Sequence, residues 1–297
     1  MTAPALDPAT LKTLSSQDLM RLEGEIARQF SGMVPWGSVA WGLCNLVVWL
    51  SLWPLVFFGH MPLWAAFPIA TLNVMLSYLP SHEAQHDIIG RPGEPLRWLN
   101  ELVGHVSTLP LVLPYRMLKL THLEHHKHTN HSQLDPDIHT RAPSAWAFLV
   151  NSLRNRQPGG QAQTSYAATL QRLGTPQASL AMLEALGLQL TYLAVLFACA
   201  LTGHALEAAL IWWLPRHIAS TYIGFYLSWA PHHPALETGR YRDTRGFRSL
   251  VGNIGSMGMQ FHVIHHLHPR IPLMKTPAAF YALRPVLEAR NCPIEGL

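Results

Sequence analysis

An all-α integral membrane protein, with four transmembrane helices beneath a cytoplasmic helical cap, is the fold class this sequence predicts. Three observations lead there. Of its 297 residues 49% are hydrophobic and 13% charged, far from the balance of a soluble domain. From Gln29 to His82 there is no Asp, Glu, Lys or Arg. The Lys and Arg residues crowd some segments and avoid others: three precede the first apolar run, nine lie in 81–184 and eight follow residue 230.

The elements follow in order. Residues 1–33 are polar, with no short apolar core behind a basic stretch, and so read as no cleavable signal peptide. Their sequence LKTLSSQDLMRLEGEIARQF predicts an amphipathic helix at the cytoplasmic membrane surface. Residues 34–80 predict a first transmembrane hairpin. A span needs roughly 20 mostly apolar residues, and Gly59-His60-Met61-Pro62 divides the run into helices over 35–58 and 62–80. Residues 81–184 predict the cap, with QPGGQAQTS at 157–165 as a flexible linker.

Residues 185–230 predict the second hairpin. Residues 185–202 are uncharged, and 208–230 carry Arg216 alone, beside Pro215. A charge at mid-membrane costs roughly 2.5–3.5 kcal/mol on insertion scales. Arg216 is therefore expected against another span, structural in role, with a carbonyl freed by Pro215 as its acceptor. Residues 231–297 return to the cytoplasmic side. Neither hairpin turn, 59–61 or 203–207, holds a Lys or Arg, so the positive-inside rule puts both termini and the cap in the cytoplasm. A bacterial inner membrane is the expected location. The pI near 9.1 follows from this asymmetry and calls for no nucleic acid. Cys44, Cys199 and Cys292 form no disulfide framework and show no metal-ligand spacing.

The histidines carry the chemistry. There are 18, and eight fall in three patterns: His82 and His86 as HxxxH, His122, His125 and His126 as HxxHH, and His262, His265 and His266 as HxxHH. Positions i, i+3 and i+4 share one helix face, so each pattern aims its imidazoles together. Eight imidazoles exceed the ligand set of one tetrahedral zinc, and two irons with open positions are the economical reading. His60, His105, His139 and His204 read as surface or interface residues, and His128, His131 and His268 are expected to tolerate replacement better than the eight. The competing reading takes HEAQH at 82–86 as a membrane zinc metalloprotease, with Glu83 as general base. It leaves both HxxHH patterns without purpose.

In these boxes the chain resembles the membrane fatty acid desaturase superfamily, over most of residues 35–275. HLEHHKHTNHSQLDPD (122–137), FYLSWAPHHP (225–234) and FHVIHHLHPRIP (261–272) are similar to segments of its carotenoid hydroxylase and ketolase branch. The resemblance implies a further ligand at His232, or His233 in its place. It also implies a di-iron centre using O2 to hydroxylate or desaturate a lipid-soluble substrate, a carotenoid ring or a fatty acyl chain, that enters from the bilayer. Carboxylates should orient the imidazoles by hydrogen bonds, with Asp87, Asp135 and Asp137 as candidates. The chain has no CxxC, haem or GxGxxG pattern, so electrons must come from a separate carrier of ferredoxin, rubredoxin or cytochrome b5 type. An acidic carrier would suit Arg240, Arg242, Arg245 and Arg248.

Overall fold

Backbone in hydrocarbon must satisfy its own hydrogen bonds, and a chain this apolar meets that demand with helices: no strand occurs among the described residues. The computed structural model describes residues 8–157, 159–294 and 297. The start of the predicted N-terminal segment, Pro158 of the linker and residues 295–296 lie outside it.

Helix α1 (Ser16–Arg28) starts where the Ser15 hydroxyl accepts from Asp18 N at 3.1 Å, an N-cap. Helix α2 (Trp36–Phe57) and helix α3 (Leu63–Gln85) are long and apolar enough to cross a membrane. They meet through reciprocal amides: Asn45 Nδ2 donates to Asn73 O and Asn73 Nδ2 to Asn45 O, each at 2.9 Å. Helix α3 runs past the predicted end at residue 80, so the first histidine box sits on the spanning helix itself. Helices α4 (Arg97–Thr108), α5 (Tyr115–His128), α6 (Ala145–Arg154) and α7 (Gln161–Leu173) follow. The linker expected over 157–165 is therefore helical from Gln161 onward.

Helix α8 (Pro176–Leu201) is the third candidate span. It starts nine residues before the predicted 185, because Thr175 caps it through Ala178 N at 3.2 Å with Pro176 in the first turn. This longer helix includes Glu184, which pairs with Arg116 Nη1 at 2.6 Å.

The fourth predicted span is helical but not one α-helix. Residues 205–229 contain α9 (Leu214–Ile223) between two π-helical stretches, Ala209–Trp213 and Gly224–Trp229. The wide turn precedes Pro215, which has no N–H to continue the ladder. Among the described residues three helices, not four, thus have the length and composition of a span. Arg216 is packed inward as expected, but its acceptor is different: Nε donates to Leu111 O at 2.8 Å, and the guanidinium lies 5.1 Å from the Tyr192 ring centroid. Trp49, Trp53, Tyr192 and Trp212 pack edge to face nearby, with centroids 4.8–6.1 Å apart.

Helices α10 (His262–Leu267) and α11 (Thr276–Ala289) close the fold. The apolar face of α1 does not lie free for the membrane surface. Leu19, Ile26 and Ala27 are buried in one cluster with Ile264, Phe280, Leu283 and Leu287, because α11 offers a complementary apolar face.

Candidate metal centre

Each histidine box arrives at the C-terminal end of a helix. Helix α3 carries His82 in its last turn and ends at His86. Helix α5 has His125 and His126 in its last turn and His122 one turn earlier. Helix α10 begins on His262 and ends just after His265 and His266. Three helix C-termini, each the negative end of a dipole, thus converge where a cation is favoured.

The ring nitrogens close into two groups. Those of His82, His86, His122 and His265 lie within 4.8 Å of one another, and so do those of His125, His232 and His266. His126 stands between them, its Nε2 3.1 Å from His122 Nε2 and 3.0 Å from His265 Nε2, its ring stacked on His266 at 4.2 Å. His122 Nε2 is 2.8 Å from His86 Nε2. The His262 ring is 4.7 Å from His266 and 5.3 Å from His232. All nine side chains that the sequence singled out are therefore gathered in one place.

These separations test whether the residues fit a metal. Bonds of about 2.0–2.1 Å from one ion to several imidazoles put neighbouring nitrogens about 3 Å apart, which matches the first group. Moreover His82 Nε2, His232 Nε2, His262 Nδ1 and His266 Nε2 are buried without a hydrogen-bond partner. Buried polar nitrogens normally have partners. A donor set of buried imidazoles facing inward fits a pair of divalent transition ions.

Burial, then repulsion among neighbouring rings, holds His122, His126, His262, His265 and His266 well below the usual imidazole range. Burial and His125 take His232 down to about 3. His125 moves the other way. Burial lowers it, but Asp135 outweighs that and raises it to about 9. His125 Nδ1 donates to Asp135 Oδ1 at 2.8 Å, which leaves Nε2 for the cluster. Likewise His232 Nδ1 donates to Asp243 O at 3.2 Å.

Of the three candidate orienting carboxylates, only Asp135 has this role. Asp87 pairs with Arg97 and with Lys119 Nζ at 2.5 Å, and Asp137 accepts from Tyr166 OH at 2.7 Å. Of the two candidates for a further ligand, His232 lies in the cluster, whereas the His233 ring packs at a tilt against Trp229, centroids 4.7 Å apart. Glu83 is turned away as well, its Oε1 accepting from Leu273 N at 2.6 Å. It sits one residue from His82, and consecutive helical side chains do not share a face.

The surface histidines lie apart. His131 Nδ1 accepts from Gln133 N and Leu134 N, both at 3.2 Å, and His268 Nε2 lies 3.0 Å from Glu23 Oε1. Arg240 holds the same carboxylate at 2.8 Å, and Arg245 Nε donates to Ala230 O at 3.1 Å. Arg242 and Arg248 remain exposed.

Asn130 escaped the sequence reading. With φ of 65° it ends the α5 segment in the left-handed region, as Asn tolerates beyond helix C-termini. Its N donates to Asp135 Oδ2 at 2.7 Å and its Nδ2 to Asp243 O at 2.8 Å, tying together the two groups that orient His125 and His232. A cavity of about 260 Å³ reaches this corner, lined in part by Asn130, His232, Arg242 and Asp243.

Comparison with known proteins agrees with this architecture. Over 105 residues, 35% of this chain and 29% of the relative, it is 31% identical to an sn-1 oleoyl-lipid 12-desaturase of Anabaena variabilis. Over 77 residues, 26% of this chain and 21% of the relative, it is 30% identical to an sn-1 acyl-lipid omega-3 desaturase (ferredoxin) of Nostoc sp. (strain 36). A third similarity, 31% over 121 residues, covers 38% of this chain and 37% of Beta-carotene 4-ketolase 3 of Haematococcus lacustris. The chain thus matches well under two thirds of the length of each. A sequence profile of the fatty acid desaturase family aligns with residues 49–296, a stretch that includes all nine clustered histidines, and the chain belongs to that family.

Proposed function

We propose that this membrane protein is an oxidoreductase that holds two iron ions in its histidine cluster and uses O2 to hydroxylate or desaturate a fatty acyl chain or a carotenoid. The observation that carries the reading is the pair of inward-facing imidazole groups, one with His82, His86, His122 and His265, the other with His125, His232 and His266. His126 and His262 complete the set from between and beside them. When bound, the iron pair supplies the O2 chemistry that breaks an unactivated C–H bond.

The chain's own part is geometry and dryness. Neutral imidazoles bind divalent metal, and burial favours the neutral form in the cap rings other than His125, which Asp135 holds protonated and which must give up its Nε2 proton to bind. Asp135, fixed in turn by Asn130 N and Asp137 N at 2.7 and 2.9 Å, holds the His125 proton on Nδ1. The Asp243 carbonyl does the same for His232. Burial of the cluster keeps bulk water from the reacting centre. The apolar helices α2, α3 and α8 leave much of their surface to lipid, through which a lipid-soluble substrate arrives. Electrons come from a separate carrier; the ferredoxin named for the Nostoc relative supports that class. With Arg240 and Arg245 engaged internally, Arg242 is an exposed member of the predicted basic group left to face it. The positive-inside asymmetry supports a cytoplasmic site and a fourth crossing by residues 205–229.

The zinc protease reading falls on two counts: the family is not one of proteases, and Glu83 is committed to Leu273 N. Metal analysis of the purified protein tests the proposal, with about two irons and no stoichiometric zinc expected. Lipid and pigment extracts from cells with and without the chain identify the substrate. Turnover should need O2 and reductant, and Glu83→Gln should leave the metal content intact. Peptide cleavage without O2 would reject the reading.

A further inference from the structure

We infer that residues 247–258 form a wedge seated in the headgroup-to-acyl boundary of the bilayer, in the leaflet that holds the Trp36 end of α2. The inference concerns membrane contact and does not depend on the activity proposed above.

The segment is anchored at both ends and bare at its tip. Phe247, Met257 and Met259 pack in the same cluster as Trp41 of α2 and Tyr226 and Leu227 of the 205–229 run. Between those anchors Leu250 is 106% exposed, Val251 54% and Ile254 93%. Three large apolar side chains within five residues, two of them almost wholly exposed and Val251 about half, would be a liability on a water-facing surface. They are not alone. Met274 is 70% exposed and lies against Gly37 at the start of α2, where Trp36 is itself 58% exposed. Leu273 packs against Gly258, joining loop and helix end. The apolar tips therefore continue the lipid-facing surface of the first span.

Charge selects the occupant. Arg248 and Lys275, which flank the tips, are exposed, and Asp243 is the one acid between residues 240 and 275. Apolar side chains between exposed cations suit an anionic lipid surface, with the aliphatic part in the acyl boundary and the charges at the headgroups. The positive φ at Gly252, Met257 and Gly258 shapes the tip. His262 follows four residues later, so the wedge also places the third histidine box next to the membrane plane.

The test uses the full-length chain in nanodiscs of phosphatidylcholine with phosphatidylglycerol. Cys44, Cys199 and Cys292 are replaced by Ala, and a nitroxide is attached at Ile254→Cys or, separately, Val251→Cys. Leu193→Cys on α8 serves as lipid reference and Gln171→Cys on α7 as water reference. The label at 254 should collide with dissolved O2 several-fold more, relative to a water-soluble nickel chelate, than the label at 171, approaching the ratio at 193. A ratio equal to that at 171 would place the loop in water. Shielding from both colliders would place it against protein, such as a second copy of the chain. Either result overturns the inference, and metal content and turnover play no part in the reading.

Discussion

The asparagine pair between the candidate spans and the histidine cluster of the cap bury polar groups in opposite ways. Between α2 and α3, Asn45 and Asn73 satisfy each other's amides and carbonyls completely, and Arg216 finds a carbonyl and an aromatic face. In the cap, imidazole nitrogens face one another at 2.8–3.4 Å, and several have no hydrogen-bond partner. The first arrangement is stable as it stands. The second is costly without a cation, since neutral nitrogens gain little from each other and buried unpaired ones lose solvation. Packing and function are thus separated along a single helix: Asn73 and His82 both lie on α3, nine residues apart.

The sharpest way to break this contrast is to remove one imidazole. His265→Ala should abolish turnover and lower the iron content, because that ring closes the first group and no neighbour replaces its bond. His131→Ala, whose ring caps its own turn, should keep both. Iron analysis and activity on the same preparations check the pair, and near-normal iron in His265→Ala would sink the ligand assignment.

Asp135→Asn comes next. It keeps shape but loses the charge that holds the His125 proton on Nδ1, and loss of such an orienting partner typically costs about 10–100-fold in metal affinity. Competition with a chelator measures it. An unchanged affinity would show that the His125 orientation is set by packing alone.

In the membrane half, Asn73→Leu should do the reverse, lowering the yield or thermal stability of folded protein by about 1 kcal/mol while iron per folded chain stays constant. A loss of iron without a loss of stability would erase the division between the two halves.

The smallest effect concerns a third kind of burial, the Glu23 carboxylate under the cap. Burial pushes it up, but His268, Arg240 and Tyr241 hold it down at about 2, from an ordinary value of 4.5. A carboxyl depressed in the folded state stabilises above its unfolded pKa, and that stability fades as the pH falls from about 4.5 toward about 2. Melting curves of wild type and Glu23→Gln should therefore differ most near neutral pH and converge on acidification. A constant difference would show that Glu23 acts through packing.

What the sequence determined by itself was whatever local periodicity and composition encode. Helix face follows from spacing, so the inward set of His82 and His86, or of His262, His265 and His266, could be read before any contact was known. The apolar runs gave α2 nearly to its ends and the start of α3. The tertiary structure decided what depends on partners distant in the chain: that His232 enters the cluster and His233 does not, that Asp135 and not Asp87 or Asp137 meets a histidine, that α1 packs on α11, that Arg216 bonds Leu111, and that the 205–229 run unwinds into π turns. The physical reason is that a side chain's direction follows from its own helix, whereas its partner follows from which surfaces meet. Asn130 shows the limit: its bond to Asp243 O spans 113 residues, and no spacing in the sequence encodes it.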